Sequence, residues 1–515
     1  MNDGEADRLL VYYCFLLNCL PHFRINLMQN WPINLYRAEQ VRELERLAIS
    51  LQNITSFELM TRAGIAVFAT MKQQCPDMQA IAVFCGSGNN AGDGYVVARQ
   101  AKLAGLKVRV YSLIDPESLS GDALLAYKHY QEAQGEIILF QSKPVIAADV
   151  IVDALFGIGL SRPITGFYEL AIQLINSTAA KIIAIDIPSG IHADTGCILG
   201  CAVKADCTVS FVALKQGLFT GQAVDYSGDI IFESLTLPET VFLEIKPAAV
   251  RVMKALIPPR DLYSHKGRYG HVLIIGGDHG YTGAARLAGE AALRIGAGLV
   301  SIATRAEHAV LMNLSRPELM CHGVESSEQL AGLLEKASVV VIGPGLGQSD
   351  WAKKLFNKTL SAGKKPLIID ADGLNLLAKS PNTNPNWILT PHPGEAARLL
   401  TCSTAEIEQD RFASVAALQR QYDGIVLLKG AGTLIASADE CAISTTGNPG
   451  MASGGMGDVL AGVIAGMCAQ GLSLKEAAQQ GAYHHGLAAD KAVKNKGERG
   501  LLASDLMPYL RSWSL

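Results

Sequence analysis

The 515-residue sequence has no run of basic residues, and its formal net charge at pH 7 is −4. Proteins that bind nucleic acid carry clustered Lys and Arg side chains that follow the phosphates, so this charge pattern argues against a nucleic-acid partner. The sequence also has no C-x-x-C pair, and its eleven cysteines are an odd number scattered along the chain. These features argue against a disulfide framework and predict reduced thiols in a cytoplasmic protein.

The closest grouping of cysteines, Cys197, Cys201 and Cys207, has irregular spacing and no matching histidine cluster. Structural zinc sites use four Cys or His ligands at regular spacing. We therefore expect these three thiols to be small core residues, and we assign no metal to them.

The apolar segment Leu9–Leu20 is too short to cross a membrane, since a spanning helix needs about 20 residues. The residues before it are mainly acidic, which is the wrong charge for a signal peptide. We therefore expect a soluble protein with no membrane partner, in which residues 1–27 are a frayed or docked extension.

The composition present is that of an ordinary globular protein, with 49% apolar and 18% charged residues. Apolar runs typical of buried strands alternate with helical patterns through the first half, which predicts a largely parallel sheet covered by helices. The predicted strands are Ala80–Cys85, Lys107–Leu113, Asp149–Leu155, Lys181–Ile187 and Cys207–Val212, and the predicted helices are Tyr95–Ala104 and Tyr168–Asn176.

The pattern weakens between residues 237 and 259, where four prolines interrupt any regular element. We place a domain boundary there, which divides the chain into residues 28–240 and 241–515. The second half repeats the α/β alternation without repeating the motifs of the first, so the halves are different folds joined together. Its predicted strands are His271–Ile275, Leu299–Ala303, Ser338–Ile342, Pro366–Asp370, Trp387–Leu389 and Ile425–Lys429.

The most informative loop of the first half is Gly86–Gly94 (GSGNNAGDG), directly after a predicted strand and before a predicted helix. Glycines at such a turn let backbone N–H groups approach a phosphate at a helix N-terminus. The spacing also satisfies the G-x-G-x-x-G/A fingerprint, with Asp115 as a candidate ribose partner. On this pattern alone, a dehydrogenase is one interpretation.

Polar side chains in and beyond this loop favour a different pocket. Asn89, Asn90 and Asp93 add amides and a negative charge where a pyrophosphate would lie. Asp153 and Ser189 follow two other predicted strands, and such strand ends converge on one crevice, so Asn90, Asp153 and Ser189 are candidate ligands for a hard cation. The alternative is that these residues cap turns.

Three segments, Asn89–Tyr95 (NNAGDGY), Asp153–Gly159 (DALFGIG) and Asp186–Gly190 (DIPSG), resemble the NAD(P)H-hydrate epimerase family over about residues 35–234. The resemblance implies a potassium site at Asn90, Asp153 and Ser189. It implies binding of the hydrated dinucleotide by Asn89, Asn90, Ala91, Gly92, Asp93, Gly157, Ile158, Gly159, Leu160, Ser161, Arg162, Pro163 and Asp186. Position 91 is usually glycine in the family.

Asp186 is our candidate catalytic residue for the first half. Epimerising the hydroxyl-bearing carbon of the hydrated ring needs an acid/base group beside it, and a carboxylate at a rigid strand end suits this task. The alternative role for Asp186 is to cap the following turn.

The strongest motif of the second half is Asn448–Gly462, a glycine-rich loop that enters an apolar helix near Val459–Cys468. Backbone N–H groups of Gly454–Gly457 can hold a transferring phosphoryl group at the helix N-terminus. Asp458, in the first helical turn, is placed to take a proton from an attacking hydroxyl. A loop that served only for close packing would not need this aspartate.

Other motifs follow further strands of the second half: Gly343–Gly347, Asp370–Asn375, Thr390–Glu395 and Lys429–Thr433. Their positions predict one shared crevice. His392 lies between two prolines, and both a structural and a ligand-facing role fit this stiff turn.

These motifs, with His265–Gly267 and Gly276–Asp278, together resemble the ribokinase-like superfamily and its ADP-dependent NAD(P)H-hydrate dehydratase branch over about residues 251–510. The resemblance implies that Ala288, Gly345, His392 and Asp458 face the hydrated dinucleotide. It implies that the adenine nucleotide is bound by Lys429, Gly430, Ala431, Gly432, Thr433, Asn448, Pro449, Gly450, Met451, Ala452, Ser453, Gly454, Gly455, Met456 and Gly457. The use of ADP rests on the resemblance, and its phosphates call for Mg²⁺.

The two resemblances imply a Rossmann-like three-layer domain at residues 28–240 and a ribokinase-like α/β/α domain at residues 241–515. The implied function is repair of the hydrates NADHX and NADPHX: epimerisation of the R and S forms, then dehydration of the S form with release of AMP and phosphate. We also expect a homo-oligomer. The alternatives are a vitamin kinase fused to a dinucleotide oxidoreductase, and a binding module without turnover.

Overall fold

The computed structural model describes residues 31–141, 144–255, 259–363, 365–494 and 496–511. The predicted extension at residues 1–27 lies outside the described residues. From residue 32 onward the chain forms one compact unit, so contacts between the two halves belong to a single body. No helix among the described residues combines the length and the apolar character that a membrane span requires.

Strands and helices alternate through the first half, as predicted. In chain order the elements are β1 (Asn34–Tyr36), α1 (Ala38–Gln52), α2 (Ser56–Gln74), β2 (Ala80–Cys85), α3 (Asn89–Leu103), β3 (Lys107–Ser112), α4 (Gly121–Glu132), β4 (Glu136–Leu139), β5 (Val150–Ala154), α5 (Phe167–Asn176), β6 (Lys181–Ile185), β7 (Cys207–Phe211), β8 (Leu214–Lys215), α6 (Ala223–Tyr226), β9 (Asp229–Glu233) and β10 (Ala249–Arg251).

The second half continues the alternation and ends in two long helices followed by a short one. Its elements are β11 (His271–Ile275), α7 (Thr282–Ile295), β12 (Leu299–Thr304), α8 (Ala306–Met312), β13 (Met320–Gly323), α9 (Ser327–Lys336), β14 (Val339–Ile342), α10 (Asp350–Leu360), β15 (Leu367–Ile369), α11 (Asp372–Lys379), β16 (Trp387–Leu389), α12 (Pro393–Leu400), α13 (Thr404–Gln409), α14 (Arg411–Tyr422), β17 (Ile425–Leu428), β18 (Thr433–Ala436), β19 (Cys441–Ser444), α15 (Met456–Ala469), α16 (Leu474–Val493) and α17 (Met507–Leu510).

The first sheet has seven strands in the order β4-β3-β2-β5-β6-β7-β9, and each neighbouring pair is parallel. Successive side chains of β2 alternate between two apolar clusters: Val83 packs in one and Phe84 in the other. A strand buried on both faces must be apolar at every position, which is why β2 is a continuous apolar run. The mostly parallel α/β prediction is confirmed, although β4 and β9 at the two edges were not predicted.

The second sheet has twelve strands in the order β13-β12-β11-β14-β15-β16-β17-β18-β19-β10-β1-β8. The seven strands from β11 to β17 form parallel pairs, and β18 pairs antiparallel with both β17 and β19. This mixed α/β arrangement agrees with the predicted fold class.

The last two strands of this second sheet, β1 and β8, lie before the predicted boundary at residues 240/241, and β10 lies just after it. Leu35 of β1 pairs with Ala249 of β10 on one side and with Leu214 of β8 on the other, and β10 continues to β19. The predicted boundary at residues 240/241 therefore separates the two sheets only in part. The first half is interlocked with the second because two of its strands extend the second half's sheet.

The helix after the first glycine-rich loop begins earlier than predicted, at Asn89 rather than Tyr95. Asn and Gly are poor helix formers, so propensity alone predicts a loop there. Packing overrides this preference: Ala91 is fully buried, and a Cβ at Gly92 would lie 2.6 Å from Met60 Sδ. The Asn89–Asp93 segment is therefore the first turn of α3.

Two candidate active sites

The first site lies at the carboxyl ends of β2, β5 and β6. Asp153, at the end of β5, is fully buried and accepts hydrogen bonds from the backbone N–H of Leu155 at 3.2 Å and of Ser189 at 2.8 Å. The Ser189 hydroxyl donates a third bond of 2.6 Å to the same carboxylate. Burial raises the pKa of Asp153 to about 6, against the opposing effect of the Ser189 hydrogen bonds.

Asn90 lies on the same side of the first sheet. Its side chain lies against Gly157, because a Cβ added to that glycine would be 3.4 Å from the Asn90 amide carbon. The residue before Gly157, Phe156, donates its backbone N–H to the Ser189 hydroxyl at 2.8 Å. The Asn90 Nδ2 atom is buried and has no hydrogen-bond partner within the described part of the chain. Asp153 and Ser189 are thus in direct contact, and Asn90 lies against the Phe156–Gly157 segment that Ser189 also contacts.

Asp186 follows β6 in the left-handed backbone region, with φ of 66°. One carboxylate oxygen, Oδ1, accepts the backbone N–H of Phe211 at 3.1 Å and also forms a short ion pair with the Lys215 ammonium. These partners are 25 and 29 residues further along the chain. The carboxylate is thus held by residues of β7 and β8. These contacts are long-range, whereas a turn cap would bond only to adjacent residues.

Lys215 is fully buried, and its ammonium has two further acceptors, Ser210 Oγ at 3.2 Å and the Phe211 carbonyl at 2.9 Å. With three acceptors, its three N–H groups are all engaged. We did not predict a role for this residue. The available signal was that Lys215 is the one charged residue between positions 207 and 224.

Two more carboxyl groups face this ion pair. The pKa of Asp93 is raised well above its ordinary value by burial and by the Asp186 charge, and the pKa of Glu45 on α1 is raised to about 7 for the same two reasons. Lys215 opposes both shifts. The region therefore combines one fixed ammonium with several carboxyl groups, some of which hold protons near neutral pH. Sequence reasoning missed Glu45, which lies on a helix without a motif.

The loop predicted to bind substrate, residues 157–163, lies beside this region and is exposed at Gly159 and from Ser161 to Pro163. The Arg42 guanidinium on α1 donates to the Ile158 carbonyl at 3.4 Å. In contrast, Ala91 and Gly92 are buried within α3. Any contact that these two residues make with a ligand would come from their backbone.

The second site forms where α15 begins. Gly455 precedes the helix with φ of 90°, and Asp458 lies in its first turn, as predicted. Burial raises the pKa of Asp458 to about 7, Asp370 adds to the rise, and Lys429 opposes it. A carboxyl group with this pKa is suited to accept a proton at neutral pH.

Lys429 connects the two predicted nucleotide-binding segments. Its ammonium lies 2.8 Å from Asp370 Oδ1 and 3.7 Å from Glu395 Oε2, and a Cβ at Gly457 would lie 3.2 Å from it. Burial alone would lower the pKa of Lys429, but the two carboxylates outweigh it and the pKa is raised. The lysine is therefore a permanent cation directly against the glycine-rich loop.

His392 is the N-cap of α12, where its Nδ1 accepts the backbone N–H of Gly394 at 3.0 Å. Its side chain remains 51% exposed, and its Nε2 lies 3.5 Å from Glu395 Oε1. Both interpretations of this histidine therefore fit the geometry, since one ring nitrogen caps a helix while half of the side chain faces outward.

The remaining predicted residues of the second site differ in accessibility. Gly345 has φ of 58°, and its carbonyl accepts the Asp278 N–H at 2.7 Å, so it belongs to a tight turn beside the Gly276–Asp278 motif. Ala288 is fully buried on α7, and an added Cβ at Gly462 would lie 2.0 Å from its carbonyl oxygen. The substrate contact expected of Ala288, or of a neighbour on the same helix, stays a prediction.

The loops predicted to bind the nucleotide are held by side chains outside them. Asp490 on α16 accepts hydrogen bonds from Gly447 N at 3.0 Å and Asn448 Nδ2 at 2.9 Å. The Ser453 hydroxyl donates to the Leu501 carbonyl at 3.0 Å. The predicted nucleotide-binding segment 448–457 is thus held by hydrogen bonds at its start and in its middle.

Comparisons with known proteins match both halves. A family model described as YjeF-related protein N-terminus matches residues 56–217, and one described as NAD(P)H-hydrate dehydratase matches residues 272–511. The chain is 49% identical to the bifunctional NAD(P)H-hydrate repair enzyme Nnr of Coxiella burnetii, over 93% of this chain and 98% of the relative. It is 45% identical to the Escherichia coli protein of the same name, over 93% and 94%.

A solved structure is similar to the second half. The ADP/ATP-dependent NAD(P)H-hydrate dehydratase of Bacillus subtilis, co-crystallised with ATP and Mg²⁺, is 33% identical, with a TM-score of 0.46, and covers 50% of this chain and 94% of its own.

Proposed function

We propose roles for the two sites on the premise that this chain belongs to the family of bifunctional NAD(P)H-hydrate repair enzymes. Its activities are those of the family, NAD(P)H-hydrate epimerase and NAD(P)H-hydrate dehydratase. The first half acts as the epimerase and the second half as the dehydratase. The vitamin kinase and non-catalytic alternatives find no support among these full-length relatives.

In the dehydratase reaction, the ring hydroxyl of the S hydrate attacks the β-phosphorus of ADP, and AMP leaves. Hydroxide is a poor leaving group, whereas the phosphate ester formed in this step departs as phosphate with the bonding electrons. Loss of a proton from the adjacent ring carbon then restores the nicotinamide double bond. Asp458 takes the proton of the attacking hydroxyl, and Lys429 with the N–H groups of Gly455–Gly457 stabilises the transferring phosphoryl group. The observation that carries this assignment is the juxtaposition of Asp458, whose pKa is about 7, with Lys429 at the start of α15.

Mg²⁺ is the expected cofactor here, because a phosphoryl group in transfer carries more negative charge than one lysine neutralises. Asp370 follows β15, and Asp372 is the first residue of α11. Their carboxylates would hold Mg²⁺ or its water ligands. The ion would neutralise negative charge on the phosphate oxygens.

In the epimerase reaction, Asp186 is the acid/base group beside the hydroxyl-bearing carbon of the hydrate, and Lys215 keeps this carboxylate oriented. The fixed hydrogen bonds to Asp186 Oδ1 support this role, because they leave Oδ2 for the substrate. Asn89–Asp93 and Gly157–Pro163 border this pocket and would bind the hydrated dinucleotide.

A potassium site at Asn90, Asp153 and Ser189 fits the donor set, which consists of a carboxylate, an amide and a hydroxyl or carbonyl oxygen. Asp153 is fully buried and pairs with no Lys or Arg side chain of the described residues, which supports a cation there. A bound ion supplies positive charge to this buried carboxylate. Replacing K⁺ by the much larger tetramethylammonium is expected to lower the epimerase rate and leave dehydration of the S epimer unchanged; equal epimerase rates would exclude the site.

We also propose a cytoplasmic homo-oligomer. The nine described cysteines are free, which suits a reducing compartment. Val310, Leu311 and Leu314 are 60–76% exposed next to one another in the chain, which suits a contact with a second copy. Sedimentation of the purified protein tests whether it is an oligomer, since a monomer at all concentrations contradicts this proposal.

The deciding experiment incubates the protein with mixed hydrate epimers, Mg²⁺ and either ADP or ATP, and follows the absorbance of the recovered reduced nicotinamide. Wild type is expected to recover both epimers. Asp186→Asn is expected to recover the S epimer quickly and the R epimer only at its spontaneous rate, whereas Asp458→Asn is expected to interconvert epimers without recovery. If neither substitution changes its reaction, both catalytic assignments are wrong.

A further inference from the structure

The segment after Lys215 leaves the epimerase pocket and contacts the predicted nucleotide loop of the other half. Thr220 is fully buried there, and its hydroxyl lies 3.3 Å from the carbonyl oxygens of both Ala431 and Gly432. The adjacent Gly221 N–H donates to the Ala431 carbonyl at 3.1 Å. Two carbonyls of the Lys429–Thr433 loop are therefore satisfied by residues of the first half.

A buried guanidinium reinforces this contact. Arg411 on α14 is 1% exposed, and its Nε donates to Thr220 Oγ1 at 3.1 Å. Its Nη2 donates to the Lys429 carbonyl at 3.2 Å and lies 3.4 Å from the Leu428 carbonyl. Burying a guanidinium is costly unless its donors find partners, and these carbonyls and the Thr220 hydroxyl are among them.

The loop has no room to move toward the first half. A Cβ at Gly432 would lie 1.9 Å from the Phe219 carbonyl oxygen, and a Cβ at Gly430 would lie 2.7 Å from the Arg411 guanidinium nitrogens. Both glycines have positive φ, 64° and 143°. The shape of the loop is therefore set by the Phe219 backbone of the first half and by the Arg411 side chain of the second half.

We propose that Thr220 and Arg411 are positioning residues for the nucleotide: the epimerase half completes the nucleotide-binding loop of the dehydratase half. This inference rests on the proposed function, in which Lys429–Thr433 binds the adenine nucleotide. Lys429 is the first residue of the loop and also the cation placed against Gly457, so an error in the loop backbone displaces the phosphate-binding charge.

Removing the Thr220 hydroxyl takes this hydrogen-bond partner from the Arg411 Nε–H and from the Gly432 carbonyl in a buried interface, whereas the Ala431 carbonyl keeps the Gly221 N–H. The loop must then shift to recover hydrogen bonds, and nucleotide binding must reverse that shift. The loss is expected in the affinity for ADP and not in the rate at saturating ADP, because Asp458 and its helix are untouched.

The test compares Thr220→Val with Thr208→Val in the full chain. Thr208 is a matched control because it is fully buried in the same half and its hydroxyl donates to a backbone carbonyl, that of Ser227 at 2.6 Å, away from the nucleotide loop. Titration with ADP and Mg²⁺ is expected to show affinity about five- to tenfold weaker in Thr220→Val, with a raised KM for ADP, an unchanged dehydratase kcat and an unchanged epimerase rate. Thr220→Ser, which keeps the hydroxyl, is expected to bind ADP like wild type.

Unchanged affinity in Thr220→Val, or an equal loss in Thr208→Val, overturns the inference. Arg411→Lys provides a second measurement if Thr220→Val does not fold, since it removes the Nε bond to Thr220; ADP affinity equal to wild type overturns the inference as well. Lys429→Met distinguishes a failure of the proposed nucleotide site from a failure of the positioning role alone. If it leaves ADP affinity unchanged, the loop is not the nucleotide site and the proposed function fails with the inference. If it weakens binding while Thr220→Val does not, only the positioning role is wrong.

Discussion

At the scale of single residues, Lys215 decides how the epimerase carboxylates are charged. Its ammonium is the cation in direct contact with Asp186, and it opposes the rise in the pKa of both Asp93 and Glu45. Lys215→Met is expected to lower the epimerase rate by about 100-fold or more, because Asp186 loses its orientation and neighbouring carboxyl groups hold their protons more tightly. Epimer exchange measured by chromatography gives the rate.

The matched control is Lys181→Met, since the Lys181 ammonium bonds the exposed Gln74 side chain at 3.2 Å. It is expected to leave both reactions unchanged. Lys215→Met that folds and epimerises like wild type would remove Lys215 from the mechanism. Dehydration of the purified S epimer, which uses the other site, reports whether the variant has folded.

As the proposed proton acceptor, Asp458 is expected to set the pH dependence of dehydration. Its pKa of about 7 means that the carboxylate, the form able to accept a proton, predominates above that pH. The dehydratase kcat/KM is therefore expected to be constant in mild alkali and to fall about tenfold for each unit of pH below 7.

Substitution of Asp370 tests whether Asp458 is the group that gives this pH dependence, because the Asp370 charge helps to raise the pKa of Asp458. Asp370→Asn removes that negative charge and frees Lys429 to approach Asp458, and both effects favour the carboxylate. The inflection of the pH profile is expected at lower pH than in wild type. Asp350→Asn, at an exposed surface pair, is the control; an inflection that does not move in Asp370→Asn contradicts the assignment.

At the scale of elements, close packing of α15 on α7 holds the second site in place. Gly462 on α15 has no room for a side chain, since a Cβ would lie 2.0 Å from the Ala288 carbonyl oxygen. Gly462→Ala is expected to destabilise the protein by about 1–3 kcal/mol, because the two helices must separate. The midpoint of denaturant unfolding measures the change.

Gly332 on α9 is the matched control, because it is also within a helix but has no atom within 4 Å of its added Cβ. Gly332→Ala is expected to stabilise the protein by about 0.4–1 kcal/mol through helix propensity and lower unfolded-state entropy. The two substitutions thus have opposite signs. A destabilising Gly332→Ala or a neutral Gly462→Ala would show that the helix contact is not as tight as described.

At the scale of the whole molecule, the two halves share a sheet edge and a loop contact, so ligand binding at one half is expected to protect the other. Saturating ADP with Mg²⁺ should slow amide exchange around β7, β8 and Gly221 as well as in β17–β19, by up to about 100-fold where exchange requires opening of the whole unit. Hydrogen exchange read by mass spectrometry gives both regions at once. Protection confined to the second half would mean that the halves open independently.

Much of the fold and of the site chemistry follows from local sequence. The bounds of β2, β11 and β16 match the predicted strands, because each is a short apolar run with a clear end. Asp458 lies in the first turn of a helix because the glycines before it cannot continue a helix backward. Such features depend on a few adjacent residues, so the pattern contains them.

Other features needed distant parts of the chain. Nothing next to Lys215 predicts its ion pair with Asp186, 29 residues away, and nothing in the short strand β1 predicts pairing with β10. The early start of α3 depends on Met60, which packs against Gly92.

The sequence by itself determined the α/β class, the glycine-rich loops and the two aspartates proposed for catalysis, because propensity, periodicity and motif spacing are local properties. Only the tertiary structure decided which carboxylate meets which cation, that Ala288 is buried, and that Thr220 of one half supports the nucleotide loop of the other. These depend on burial and hydrogen bonding between segments far apart in the chain, and their energies arise only when the whole molecule has packed.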